Sequence, residues 1–304
     1  MNFHFEPRLT EDAVGAALAR RPMLAARYRA DVESLYDDVP LNERETAFAR
    51  LHAQWFESLE LDRPLRAIFE EFPSVVAAVR DVVVARADRR RDEGAVLAPR
   101  TARLGLRLAP ARFTSDDALS RLMCHELTHV GDMLDPAFAY PDHPLSGATA
   151  GENLIRDRYR LLWDLSVDGR LARAKKPSIA DETMRRAELD ALYYSLPGAA
   201  RSAIFARLWG APDVTHDRLW RMASDVRALL AFAGAPGAAS APGGPLPGAR
   251  CPLCTFPTYA WSPPLDAHIA SMLQRDFPNW LPEEGVCDRC AELYRQSQIS
   301  NLSR

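Results

Sequence analysis

The sequence predicts a mainly α-helical protein with a small β-sheet (α+β), followed by a short cysteine-rich module. Three observations carry this. Apolar residues recur at helical spacing through most of residues 10–232. One segment, "TARLGLRLAP" (residues 101–110), alternates apolar and polar instead, the period of a half-buried strand. A Gly/Ala/Pro-rich stretch, "AGAPGAASAPGGPLPGA", then separates the helical part from two C-x-x-C pairs. The expected organisation is a domain over 1–233, a flexible linker over 234–249 and a second module over 250–304.

The elements follow in order. "TEDAVGAALARRPMLAARYRADVESLYDD" sets Ala and Leu at helical spacing, with Thr10 as an N-cap. Further helices are expected over 42–60 and 74–92. The basic run "RADRRRDEG" (86–94) then reads as a solvated helix end, where cations suit the dipole. In the strand, Ala102, Leu104, Leu106 and Leu108 face one way, and Thr101, Arg103, Gly105 and Arg107 the other. Thr114 or Ser115 can cap the next helix, with Asp116 and Asp117 in its first turn. Leu119, Leu122, Met123, Leu127, Val130 and Leu134 make that helix largely buried, and Pro136 marks its end. A loop to about Gly151 leads to another helix, "ENLIRDRYRLLWDLSVDGRLARA", and helical segments continue to about Phe232.

Composition narrows the function. The 304 residues are 47% hydrophobic and 26% charged, ordinary for a globular protein. A net charge of −3 gives no reason to invoke nucleic acid or an anionic membrane surface. No stretch approaches the ~20 apolar residues that span a bilayer. The N-terminus lacks a basic region followed by an apolar run, so a cytoplasmic protein is expected. In a reducing compartment the C-x-x-C pairs read as metal ligands rather than disulfides.

The chemistry is concentrated in "LMCHELTHVGDML" (122–134). His125 and His129 are four apart, so one helical face presents both imidazoles to a single ion. Zn²⁺ favours such ligands and, in catalytic sites, keeps one position for water whose pKa it lowers toward ~7. Glu126, one residue round the helix, can take that water's proton and pass it to a leaving amine. Cys124 reads as a buried small hydrophobe.

His125-Glu126-Leu127-Thr128-His129 is the H-E-x-x-H pattern, and this region resembles the zincin metallopeptidases. The resemblance covers about residues 95–175. It implies a zincin-like domain, a catalytic zinc, a peptide or protein substrate, and an amphipathic strand beside the metal that pairs with extended substrate backbone. The metzincin extension is absent, so the third ligand lies elsewhere. Asp164 and Asp168 share a helical face, which is similar to the acidic helix of gluzincins. The spacing from Trp163 to Asp168 also resembles predicted metallopeptidases encoded beside MoxR-type ATPases. That likeness implies Asp168 as the ligand, with Asp164 in support. His143 is the alternative implied by a more distant likeness to the SprT/Spartan family, although Pro144 follows it where that family has Gly. Glu152 is a further candidate. Tyr159, Tyr193, Tyr194 and His216 are candidate donors to a carbonyl under attack, with core packing the default for the tyrosines.

Cys251, Cys254, Cys287 and Cys290 form two C-x-x-C pairs, a structural zinc pattern that closes the coordination shell. The segment after the second pair reads as a helix, so the module resembles a treble clef or zinc ribbon. Its aromatics, Phe256, Tyr259, Trp261, Phe277 and Trp280, are expected to form a minimal core, or else a surface that recruits a protein or nucleic acid, the latter not favoured by the module's mixed charge. The expectation is therefore a zinc metallopeptidase with one catalytic and one structural Zn²⁺. Two rivals stand beside it: a catalytically degenerate adaptor acting through the cysteine module, and a SprT-like DNA-associated protease.

Overall fold

The computed structural model describes residues 1–141, 150–194, 196–212, 214–235, 250–258 and 260–302. It is mainly helical with one small four-stranded sheet. Contacts divide the chain into two units, Met1–Asp142 with Arg170–Asp181, and His143–Gly169 with Glu182–Arg304. Most of the expected linker, residues 236–249, lies outside the described residues.

The first unit begins with strand β1 (Asn2–Phe5) and five helices, α1 (Pro7–Leu18), α2 (Pro22–Asp38), α3 (Arg44–Ser58), α4 (Arg63–Glu70) and α5 (Pro73–Ala78). Pro22 divides the long N-terminal periodic stretch into α1 and α2, since proline suits the first turn of a helix but not its interior. Strands β2 (Asp81–Arg86), β3 (Gly94–Ala98) and β4 (Arg103–Leu108) follow, then helix α6 (Asp116–Leu134). The sheet order is β1-β2-β4-β3; β1 and β4 run parallel to β2, and β3 is antiparallel to β4.

Burial follows the alternation. Val82 and Val84 of β2 and Leu104, Leu106 and Leu108 of β4 are buried, with Leu9, Ala13 and Val14 of α1 and Leu119, Met123 and Leu127 of α6. Val83 and Val96 point the other way and are exposed.

Three expectations are corrected here. The helix over 74–92 is only α5; the chain leaves helical geometry at Val79 and becomes β2. The β-branched run Val82–Val84 pairs on both sides, and that pairing outweighs the helical reading of a short apolar stretch. The basic run is consequently the β2–β3 connection, not a helix end; Arg86 pairs there with Asp12 and Asp88. Finally, the amphipathic strand β4 is interior, with β2 on one side and β3 on the other. The edge strand beside it is β3, whose short "GAVLA" alternates too weakly to be read from sequence; β1 forms the other edge.

The second unit holds most of helix α7 (Ala150–Arg173), whose last turn from Arg170 belongs to the first unit. It continues with α8 (Glu182–Leu192), α9 (Gly198–Trp209), α10 (His216–Ser224) and α11 (Val226–Ala233). Gly169 is required by packing, because a Cβ there would lie 2.2 Å from the backbone oxygen of Trp209. The cysteine module carries α12 (Ala267–Asp276) and α13 (Asp288–Leu302). Its core is Ile269, Leu273, Trp280, Val286 and Ala291 around the cysteines.

Candidate metal centres

Helix α6 starts as expected, with the Ser115 side chain accepting from the Ala118 N–H and Asp116 and Asp117 in its first turn. His125 and His129 are both buried, and their Nε2 atoms lie 3.2 Å apart. Two nitrogens about 2.0–2.1 Å from one tetrahedral ion would be about 3.3 Å apart, so the pair has the spacing of shared coordination. Cys124 is buried beside them, and burial pushes its thiol up, as for a packing residue.

Glu126 points to the sheet edge. Its Oε2 accepts the N–H of Ala95 on β3 at 2.8 Å. That amide therefore faces away from β4. By the alternation of antiparallel pairs, Leu97, two residues on, also turns its N–H and C=O to the open edge. Gly94, with φ 152°, brings the strand to the carboxylate in a backbone conformation that L side chains rarely adopt.

Asp164, of the other unit, is grouped with His125 and His129 as residues that could hold a metal ion. The last turn of α7 is anchored to α6 where Arg170 donates to both oxygens of Asp132. Asp168 is not in this group. It is fully buried, and its Oδ2 accepts from Arg185 Nε at 2.6 Å. The candidate group thus holds Asp164 where Asp168 was expected, and Asp168 pairs with Arg185. The two aspartates are one turn apart on one face, so spacing alone could not separate them.

Arg185 also contacts Asp164 at 3.2 Å and Glu188 at 2.7 Å. Burial works against its charge, but the Asp164 and Asp168 carboxylates more than offset this and raise its pKa. His143 and the side chain of Glu152 lie outside the described residues. Of the candidate oxyanion donors, Tyr159 and His216 share a hydrogen bond of 2.9 Å and are buried. Tyr159 is about 140° around α7 from Asp164. Tyr193 is buried with Arg158 over its ring, whereas Tyr194 is exposed.

No family model, curated protein or solved structure matches this chain. The reading therefore rests on the residues themselves.

The four cysteine sulfurs lie within 4.8 Å of one another, with Cys254 and Cys287 Sγ at 3.9 Å. Four thiolates about 2.3 Å from a tetrahedral ion would be about 3.8 Å apart, so this group fits a metal as well. Burial pushes the Cys251 thiol up, but backbone N–H groups of Cys287, Cys254 and Leu253 outweigh it and bring it down to about 7. Burial raises the Cys287 and Cys290 thiols. Trp280 is in the module core and Trp261 packs against it, while Phe256, 69% exposed, does not contribute to it. Tyr259 lies outside the described residues. Both groups could hold a metal ion. No described helix is long and apolar enough to cross a membrane.

Proposed function

We propose that this protein is a zinc-dependent metallopeptidase. His125, His129 and Asp164 would hold the catalytic ion, and the four cysteines a structural one. The observation that supports it most is the pair of buried imidazoles at the spacing of shared coordination on α6, beside a carboxylate held by the sheet. Two nitrogens and one oxygen leave a fourth tetrahedral position, as catalytic zinc sites do, whereas four thiolates leave none. When bound, the ion supplies a Lewis acid and brings the pKa of water near neutrality.

The chain's own residues supply the rest. Glu126 is held at one oxygen by Ala95, which leaves Oε1 to take a proton from water and return it to the leaving amine. The open edge of β3 offers the backbone groups of Leu97 to an extended peptide, beside that carboxylate. This reading gives β3 the substrate-pairing role first expected of β4.

Zinc per chain, measured by plasma mass spectrometry on wild type, His129→Ala and Cys287→Ser, tests the metal assignment. Two ions in wild type and one in each variant are expected. Cleavage of casein by wild type, lost in Glu126→Gln with zinc retained, tests the activity. One zinc, insensitive to His129→Ala, would end the catalytic reading. Two zincs with no hydrolysis of any unfolded protein would favour an adaptor acting through the cysteine module.

A further inference from the structure

Glu126 is held by a backbone amide, so its position depends on whatever fixes the start of β3. The residue before Gly94 is Glu93, whose side chain is only 3% exposed. Arg112 donates to both of its oxygens, Nε to Oε1 at 2.9 Å and Nη2 to Oε2 at 2.7 Å. Glu93 Oε1 also accepts the backbone N–H of Ala109, just after β4. The remaining Arg112 nitrogen, Nη1, donates to the backbone oxygen of Ala118 at 2.8 Å, in the first turn of α6. One guanidinium thus joins the residue that opens β3 to the helix that carries His125, Glu126 and His129.

The arrangement is specific. A bidentate guanidinium–carboxylate pair fixes direction as well as distance. Ala95 is two residues beyond Glu93, and Gly94 between them has φ 152°. A glycine there gives the chain freedom that the Glu93–Arg112 pair removes. Without the pair, the edge strand could slide or fray, and the Ala95 N–H would leave Glu126 Oε2.

We propose that Glu93 and Arg112 are positioning residues for Glu126, acting through the Ala95 N–H. This rests on the metallopeptidase reading for its catalytic consequence, and on geometry alone for the contact itself. Neither residue touches the reacting atoms. Their effect is to aim the free oxygen of Glu126.

The test uses full-length protein and two mild variants, Glu93→Gln, which keeps the shape, and Arg112→Lys, which keeps the charge. The first readout is the amide proton of Ala95 by NMR, with its hydrogen-exchange rate. A donor to a carboxylate resonates downfield. Glu126→Ala should move it, and so should both variants, with exchange at least about tenfold faster. The second readout is casein hydrolysis at matched zinc content. Turnover should fall about 10- to 100-fold, the usual range for residues that support a metal site, with KM and zinc affinity unchanged.

An Ala95 amide unmoved in both variants would overturn the proposal, as would a moved amide with unchanged turnover. The amide readout needs no turnover. A wild type that cleaves nothing would therefore sink the peptidase reading, while the amide shifts still decide whether the pair holds Ala95 on Glu126. Should one variant fail to fold, the other carries both readouts.

Discussion

The cysteine group and the histidine pair bring their donors together by different routes. Each cysteine pair spans four residues of chain, and backbone N–H groups next to the sulfurs support them; the Cys287 amide approaches Cys251 Sγ and the Cys290 amide approaches Cys287 Sγ. The histidine pair takes both of its donors from one helix, four residues apart. A site built from local knuckles closes on itself and leaves no vacancy for chemistry. A pair on one helical face supplies only two donors and leaves other coordination positions open.

The largest effect expected is at Glu126. If the histidine group is the open one, Glu126→Gln should lower hydrolysis by about 10²- to 10⁴-fold, the range for loss of a general acid–base. Zinc content should stay at the wild-type value. Equal loss after Cys254→Ser at full catalytic-zinc occupancy would break the distinction between the two groups.

The two aspartates sharpen it next. Asp168→Asn should destabilise by about 3–5 kcal/mol, because it leaves Arg185 short of a buried partner. Asp164→Asn should cost less stability but lower zinc affinity, read by competition with a chromogenic chelator. The reverse pattern would restore Asp168 as the ligand.

The closed site should act on folding rather than on rate. Removing metal from it, with a strong chelator or by Cys287→Ser, should expose the amides of 260–302 to hydrogen exchange, since so small a core needs its ion. The amides of β2 and β4 should stay protected.

Smaller again is Gly169→Ala. The new methyl would meet the Trp209 backbone, and overpacking of this kind costs about 1–3 kcal/mol by denaturant melt. The mildest effect is on pH. Burial lowers the pKa of His216 below its ordinary 6.5. Between the folded value and 6.5 the unfolded chain binds more protons, so this contribution is full above 6.5 and is lost as pH falls through the folded value. His216→Asn should flatten that acid limb; an unchanged limb would assign it elsewhere.

Sequence by itself determined what is periodic or local. The α+β class, the capped and buried helix at 116–134, the pair of imidazoles four residues apart and the two C-x-x-C knuckles all depend on neighbours within a turn or two. Tertiary structure decided what depends on distant pairing. It turned Val82–Val84 into a strand by giving it partners on both sides, and it put β3 rather than β4 at the sheet edge. It paired Asp168 with Arg185, and sequence could not single that carboxylate out, because two carboxylates one turn apart share the same periodicity and differ only in what stands opposite them. It also brought Glu93 to Arg112 across nineteen residues. No spacing rule contains that pair, because its partners meet only after the strand and the helix have packed.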